Sequence, residues 1–303
     1  MSTQLIDRQL LEKLERLTIR WQKSFRGLVG GHNPSRYSGP GQEFLDHRNF
    51  HHGDDLRAVN WRAYMRLEKL FLKMFEVEPR TPVRLLLDAS ASMTAGEPGD
   101  AQSKFDLARR LAAALVYVGL VRHDTLLIQP FHEKFDDPFL ASGGRHRFGP
   151  AADYLASLQP AGHASFLQMA RLAANAWPRP GLLIVISDFL DDEDSVKPLQ
   201  FLSDLGHELL LVQLWTPFDR DPGYDGEVQL QDAESGRDLE ITLSEETRLK
   251  YTAAFDRHAA QIEETAIRSG GRHLGLPTTV SLEEAIFQAL DWSGASLAVR
   301  RAV

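Results

Sequence analysis

Val83-Arg84-Leu85-Leu86-Leu87-Asp88-Ala89-Ser90-Ala91-Ser92-Met93 is the stretch whose reading decides the fold. Four of its first five residues are apolar, without polar alternation, which marks a strand buried on both faces of a sheet. The run stops on a carboxylate, and hydroxyls follow at alternate positions, Ser90 and Ser92. Downstream, Lys104 to Leu120 carries Ala and Leu at helical spacing, and Thr125 to Gln129 reads as a second strand. Phe131 to Phe148 holds several turn signals and reads as a hairpin. Ala151 to Leu158 and Phe166 to Trp177 read as helices. Leu182 to Ser187 repeats the opening pattern, an apolar strand ending on Asp188; Val196 to Leu205 is a helix and Glu208 to Leu214 a further buried strand. Strands alternating with helices imply right-handed crossovers and a mainly parallel sheet. Ligands of such sheets sit at the carboxyl ends of the strands, where two strands here end in Asp.

On the amino-terminal side, Leu10, Leu11, Leu14 and Leu17 give a helix between Leu5 and Trp21, and Gly27 to Gly41 is a turn-rich loop. His47 to Lys73 is dense in charge and aromatics and follows neither period; Trp61 and Phe75 are read there as core residues. After Pro217, Val228 to Leu230 and Leu239 to Ile241 flank an acidic turn, Asp232 to Arg237, and read as a hairpin. Ser244 starts a helix that runs to about Arg268, stopped by Gly270-Gly271, and Ser281 begins a last one. The expected organisation is an irregular module over residues 1–81, an α/β domain over 82–217, and a hairpin and helical extension over 218–303.

The 303 residues carry 34 basic and 42 acidic side chains, a formal charge of −8, which argues against nucleic acid or an anionic membrane as the main partner. There is no cysteine, which excludes disulfides, a thiol nucleophile and Cys-ligated metal. No apolar run approaches the roughly 18 residues of a membrane span, and Asp7, Glu12 and Glu15 interrupt the amino-terminal stretch, so a cytoplasmic location without a membrane span is expected. No phosphate-cradling Gly-x-x-x-x-Gly-Lys, nucleophile elbow or dinucleotide fingerprint is present. His47 and His51 have helical spacing but lack the Glu of the metalloprotease pattern.

Asp88, Ser90 and Ser92 are hard oxygen donors suited to Mg²⁺ or Mn²⁺, and Asp188 supplies a second carboxylate at the same edge. In Gly162-His163-Ala164-Ser165, Ser165 offers another hydroxyl. Asp88-x-Ser90-x-Ser92 after a buried strand resembles the metal-ion-dependent adhesion site of von Willebrand factor A domains, with Asp188 matching the distal Asp and Ser165 standing for the distal Thr. That resemblance implies Mg²⁺, with Mn²⁺ or Ca²⁺ as alternatives, held by Asp88, Ser90, Ser92, Ser165 and Asp188.

A second block sharpens the match. Gly39-x-Gly41-x-Glu43-Phe44, Arg48-x-Phe50, Gly53-Asp54-Asp55-x-Arg57-x-Val59-Asn60-Trp61 and Lys73-x-Phe75-Glu76 resemble the DUF58 family, which has Asp where this chain has Asn60. Members pair this block with an A-type domain. The resemblance implies a non-enzymatic, chaperone-like partner of a MoxR-type AAA+ ATPase, engaging that ATPase and a protein client. Two alternatives stand beside it: a metal-assisted hydrolase using Asp88 and Asp188, with His163 as candidate base, and a metal-independent scaffold in which Asp88 merely caps a helix.

Overall fold

The structure, a computed structural model, describes residues 5–21, 38–39, 43–51, 59–76, 82–94, 102–191, 194–224, 226–231 and 238–290. The chain divides into two compact units, Trp21–Thr81 and Met1–Arg20 with Pro82–Val303.

Helix α1 (Arg8–Trp21) opens the larger unit. In the smaller unit, β1 (Ser38–Gly39), β2 (Glu43–Asn49), α2 (Trp61–Leu67) and β3 (Phe71–Glu76) follow in order. Its strands form an antiparallel sheet in the order β1-β3-β2, with an irregularity in the β2–β3 register between Phe44 and Asp46. Asn60 caps α2, its side-chain oxygen accepting from the Ala63 amide at 3.3 Å. Trp61, expected in the core, is instead 55% exposed and meets Tyr64 edge to face. It is the first residue of a short helix that has no buried residues. The Gly53 to Arg57 part of the signature, and the side chain of Phe75, lie outside the described residues.

The rest of the larger unit runs β4 (Val83–Asp88), α3 (Lys104–Val121), β5 (Leu126–Phe131), β6 (Phe139–Ala141), α4 (Phe148–Ser157), α5 (Phe166–Ala176), β7 (Leu182–Ser187), α6 (Val196–Asp204), β8 (Glu208–Trp215), α7 (Pro217–Arg220), β9 (Gly226–Gln231), β10 (Asp238–Leu243), α8 (Glu245–Arg268), β11 (Arg272–Pro277) and α9 (Leu282–Leu290). Six strands form one sheet in the order β11-β8-β7-β4-β5-β6. All pairs are parallel except β5–β6; of the hairpin expected within Phe131 to Phe148, only β6 forms there, and it pairs back onto β5. β9 and β10 pair as a separate antiparallel ribbon, as their alternation and acidic turn suggest.

The central strands are mostly apolar because both faces are covered. Leu86, Leu183, Val185, Leu209 and Leu211 pack with Phe166, Met169, Ala170 and Ala173 of α5, Leu199 and Leu202 of α6, and Ile262 and Ala266 of α8. Leu85, Leu87, Ile184, Ile186, Leu210 and Val212, one pleat out of step, serve the other face and are equally buried. α3 is buried nearly all round, and its alanines let neighbours approach closely. The amino-terminal segment meets this helix and α9 through polar contacts: Arg110 donates to the Leu5 carbonyl at 3.2 Å, Tyr117 to Glu15 at 3.4 Å, and Lys13 pairs with Glu283 of α9 at 2.9 Å.

The sheet does not end near residue 217. β11 continues it in parallel register beyond β8, a strand that the pattern reading passes over because Gly275 and Pro277 interrupt it. The close approach that admits β11 depends on Gly271. A Cβ there would strike the carbonyl group of Leu209, a backbone atom set in β8 that cannot step aside. Gly271→Ala is therefore expected to cost about 3 kcal/mol, at the upper end of overpacking effects, read as a lower thermal midpoint.

Candidate functional site

The chain leaves β4 for β5 on one side and returns across it to β7 on the other, so the strand order switches direction between β4 and β7. Neighbouring strands diverge in their connections at that point and leave a crevice at their carboxyl ends. Asp88 closes β4 and Asp188 follows β7, so both carboxylates come to this edge.

The loop after β4 is tightly pinned. The amide of Ala89 donates to the Phe131 carbonyl at 2.9 Å, that of Ala161 to the Ala89 carbonyl at 2.8 Å, and that of Ala91 to the Gly162 carbonyl at 2.9 Å. The Ser90 amide donates to Asp88 Oδ1 at 2.9 Å, and the Ser187 hydroxyl to Asp88 Oδ2 at 2.5 Å. Ser90 and Ser92 hydroxyls lie 3.0 Å apart. Asp88, Ser90 and Ser187 are fully buried. Burial above all, and then the nearby charge of Asp188, raise the Asp88 carboxyl to about 7, against the opposing hydrogen bonds from Ser187 and Ser90.

The structure thus brings Asp88, Ser90 and Ser92 together as expected and places Asp188 beside them. Ser165 is engaged locally instead, because its hydroxyl accepts from the Gln168 amide at 3.3 Å and caps α5. Two residues that the sequence reading passes over complete the arrangement. Ser187 ties the two strand ends together. Lys104, the first residue of α3, sends its ammonium to Asp188 Oδ2 at 2.7 Å and to Asp219 Oδ2 at 3.3 Å, and its side chain is only 2% exposed. Burial pulls this ammonium's pKa down, but the two carboxylates outweigh burial and raise it. The remaining oxygen of Asp188 accepts from the Leu190 amide at 3.1 Å. Asp219 is held in turn by a capping box with Thr216, whose amide donates to Asp219 Oδ2 at 2.8 Å.

As a cradle for Mg²⁺, the set Asp88, Ser90, Ser92, Ser165 and Asp188 fits poorly in this form. One carboxylate is already neutralised by an ammonium. Among the described residues, no group of three or more acidic or histidine side chains is arranged to hold a metal ion. His163 is largely exposed and faces Glu133 at 3.1 Å.

The family model described as protein of unknown function DUF58 matches residues 46–261. The chain belongs to the DUF58 family. An uncharacterized protein of Mycobacterium bovis is 27% identical over 278 residues, which cover 90% of this chain and 86% of that protein. An uncharacterized protein of Mycobacterium avium is 36% identical over 93 residues, 31% of this chain and 54% of that one. Among solved structures, BatB, a conserved hypothetical protein of Bacteroides thetaiotaomicron, is 20% identical with a TM-score of 0.45, over 69% of this chain and 96% of that one. The SpRpn10 VWA domain is 14% identical with a TM-score of 0.39, over 68% of this chain and 93% of that one. The mainly parallel sheet flanked by helices, expected from the von Willebrand A-type resemblance, is the fold this DUF58 chain forms. Among the described residues no helix is long and apolar enough to cross a membrane.

Proposed function

We propose that this DUF58 protein is a non-enzymatic interaction module that docks a protein partner on the carboxyl edge of its parallel sheet. The partner best supported by the family resemblance is a MoxR-type AAA+ ATPase, with a protein client as the second party. The observation that carries the reading is the make-up of that edge. Leu190 and Leu167 are 38% and 40% exposed. They sit on two segments joined by the Phe166 amide donating to Asp191 Oδ2 at 3.0 Å. Apolar side chains at the rim of a rigid, hydrogen-bonded loop suit a docking surface, where a few well-placed contacts dominate affinity.

The hydrolase alternative has less support. Asp88 is fully buried with both oxygens hydrogen-bonded, Asp188 is paired with Lys104, and the candidate base His163 engages Glu133 instead of the carboxylate pair. Binding is tested with the purified chain and a cognate MoxR-type ATPase by surface interferometry. Leu167→Ser and Leu190→Ser are each expected to weaken binding about tenfold with the thermal midpoint unchanged. Affinity that neither change moves would sink this docking edge, and no binding under any nucleotide condition would sink the ATPase partner.

A further inference from the structure

We infer that the Lys104 ammonium is the resident cation of this site, and that it excludes the divalent ion that Asp88, Ser90, Ser92 and Asp188 would otherwise invite. This goes beyond the docking reading and stands whether or not the partner is an ATPase.

Three observations combine. The ammonium lies 2.7 Å from Asp188 Oδ2, a charge-assisted contact that already compensates this carboxylate's charge. It is also anchored by Asp219 at 3.3 Å, and the buried stem of Lys104 gives it no solvated alternative to swing into. Lys104 is also the first residue of α3, so the positive end of an 18-residue helix lies at the same place. A divalent ion entering beside Ser90 and Ser92 would have to compete with this ammonium for Asp188, next to the positive end of α3. It would also have to shed water, which Mg²⁺ does reluctantly, for a carboxylate already engaged by the Ser90 amide and the Ser187 hydroxyl. The site therefore keeps the oxygen motif of a cation site while its charge compensation is covalently built in.

The probe is Mn²⁺ alone, followed by electron paramagnetic resonance and by the shift of the thermal midpoint, on the full chain. The wild-type protein is expected to show no saturable uptake up to about 10 mM, above the roughly millimolar range of weak oxygen-ligand sites. Lys104→Gln, which removes the charge and keeps a hydrogen-bond donor, is expected to take up Mn²⁺ at least about tenfold more tightly than wild type. That gain should vanish in Lys104→Gln with Asp88→Ala. Lys104→Arg, still cationic, should behave as wild type. Saturable wild-type binding that Asp88→Ala abolishes would overturn the inference, and so would a folded Lys104→Gln that gains nothing. Should Lys104→Gln be too unstable to purify, its refolding in Mn²⁺ is the same readout, and failure to refold there counts against the inference.

Discussion

Replacing Lys104 by methionine is expected to destabilise the protein by about 3–5 kcal/mol, the cost of leaving one partner of a buried ion pair uncompensated. For a unit of this size that is a fall of roughly 10 °C in thermal midpoint. The stem of methionine fills most of the volume of the lysine stem, so the loss falls on the charge of Asp188, which is 1% exposed. The cycle with Asp188→Asn separates this from packing. Asparagine keeps an oxygen for the Leu190 amide but carries no charge, so Lys104→Met with Asp188→Asn should recover more than half of the loss. Asp188→Asn alone should be milder than Lys104→Met, because Lys104 retains Asp219. A coupling energy of about 2 kcal/mol or more is expected between the two positions. Strictly additive losses would mean that the pair contributes no electrostatic link between the strand ends.

That ion pair also shows where sequence reading stops. The strand ending on Asp88 and the one ending on Asp188 were legible because burial on both faces forces a continuous apolar run, which chance rarely produces twice before Asp. The β9–β10 ribbon was legible from turn chemistry. Lys104 was not. A lysine following a Ser cap at the start of a helix reads as a solvated first turn, and its partner stands 84 residues away. Only the crossovers that set β7 beside β4 bring the two together. Ser187 escaped for the same reason: as a strand's last residue it reads as an edge hydroxyl, and its bond to Asp88 requires the sheet register. β11 was hidden differently. A six-residue edge strand with an internal glycine and a closing proline has too little apolar periodicity, and its place is fixed by the tight Gly271 approach to β8. Trp61 was misplaced because hydrophobicity alone does not say which face of a short helix has something to bury against.

The pH dependence of stability should include two opposing contributions, from the buried Asp88 and the half-buried His273. Asp88 holds its proton up to about 7, against an ordinary value of 3.8, chiefly through burial and secondarily through Asp188. Between about pH 4 and 7 the folded chain therefore binds a proton that the unfolded chain has released, and this group's contribution declines as pH rises. His273, 3.2 Å from Gln213, is pushed down to about 4 from 6.5 by burial first and by His258 second. Over nearly the same window the unfolded chain binds the proton instead, so this contribution declines as pH falls. At full development they are worth roughly 4 and 3 kcal/mol respectively, and in the wild type these two contributions run in opposite directions. Asp88→Asn should therefore gain on the wild type as pH rises from 4 to 7 and stay above it at pH 8, since no buried charge has to form. Its amide can still donate to Ser187, whose oxygen already accepts from the Phe189 amide and has a second lone pair free. His273→Gln, which preserves a polar contact to Gln213, should show the opposite difference, gaining on the wild type as pH falls from 6.5 to 4. Chemical denaturation of the three proteins across that range gives the two difference curves. Curves that run parallel to the wild type would mean that neither group changes its proton affinity on folding, and the buried carboxylate pair would then have to share its charge with Lys104 in another way.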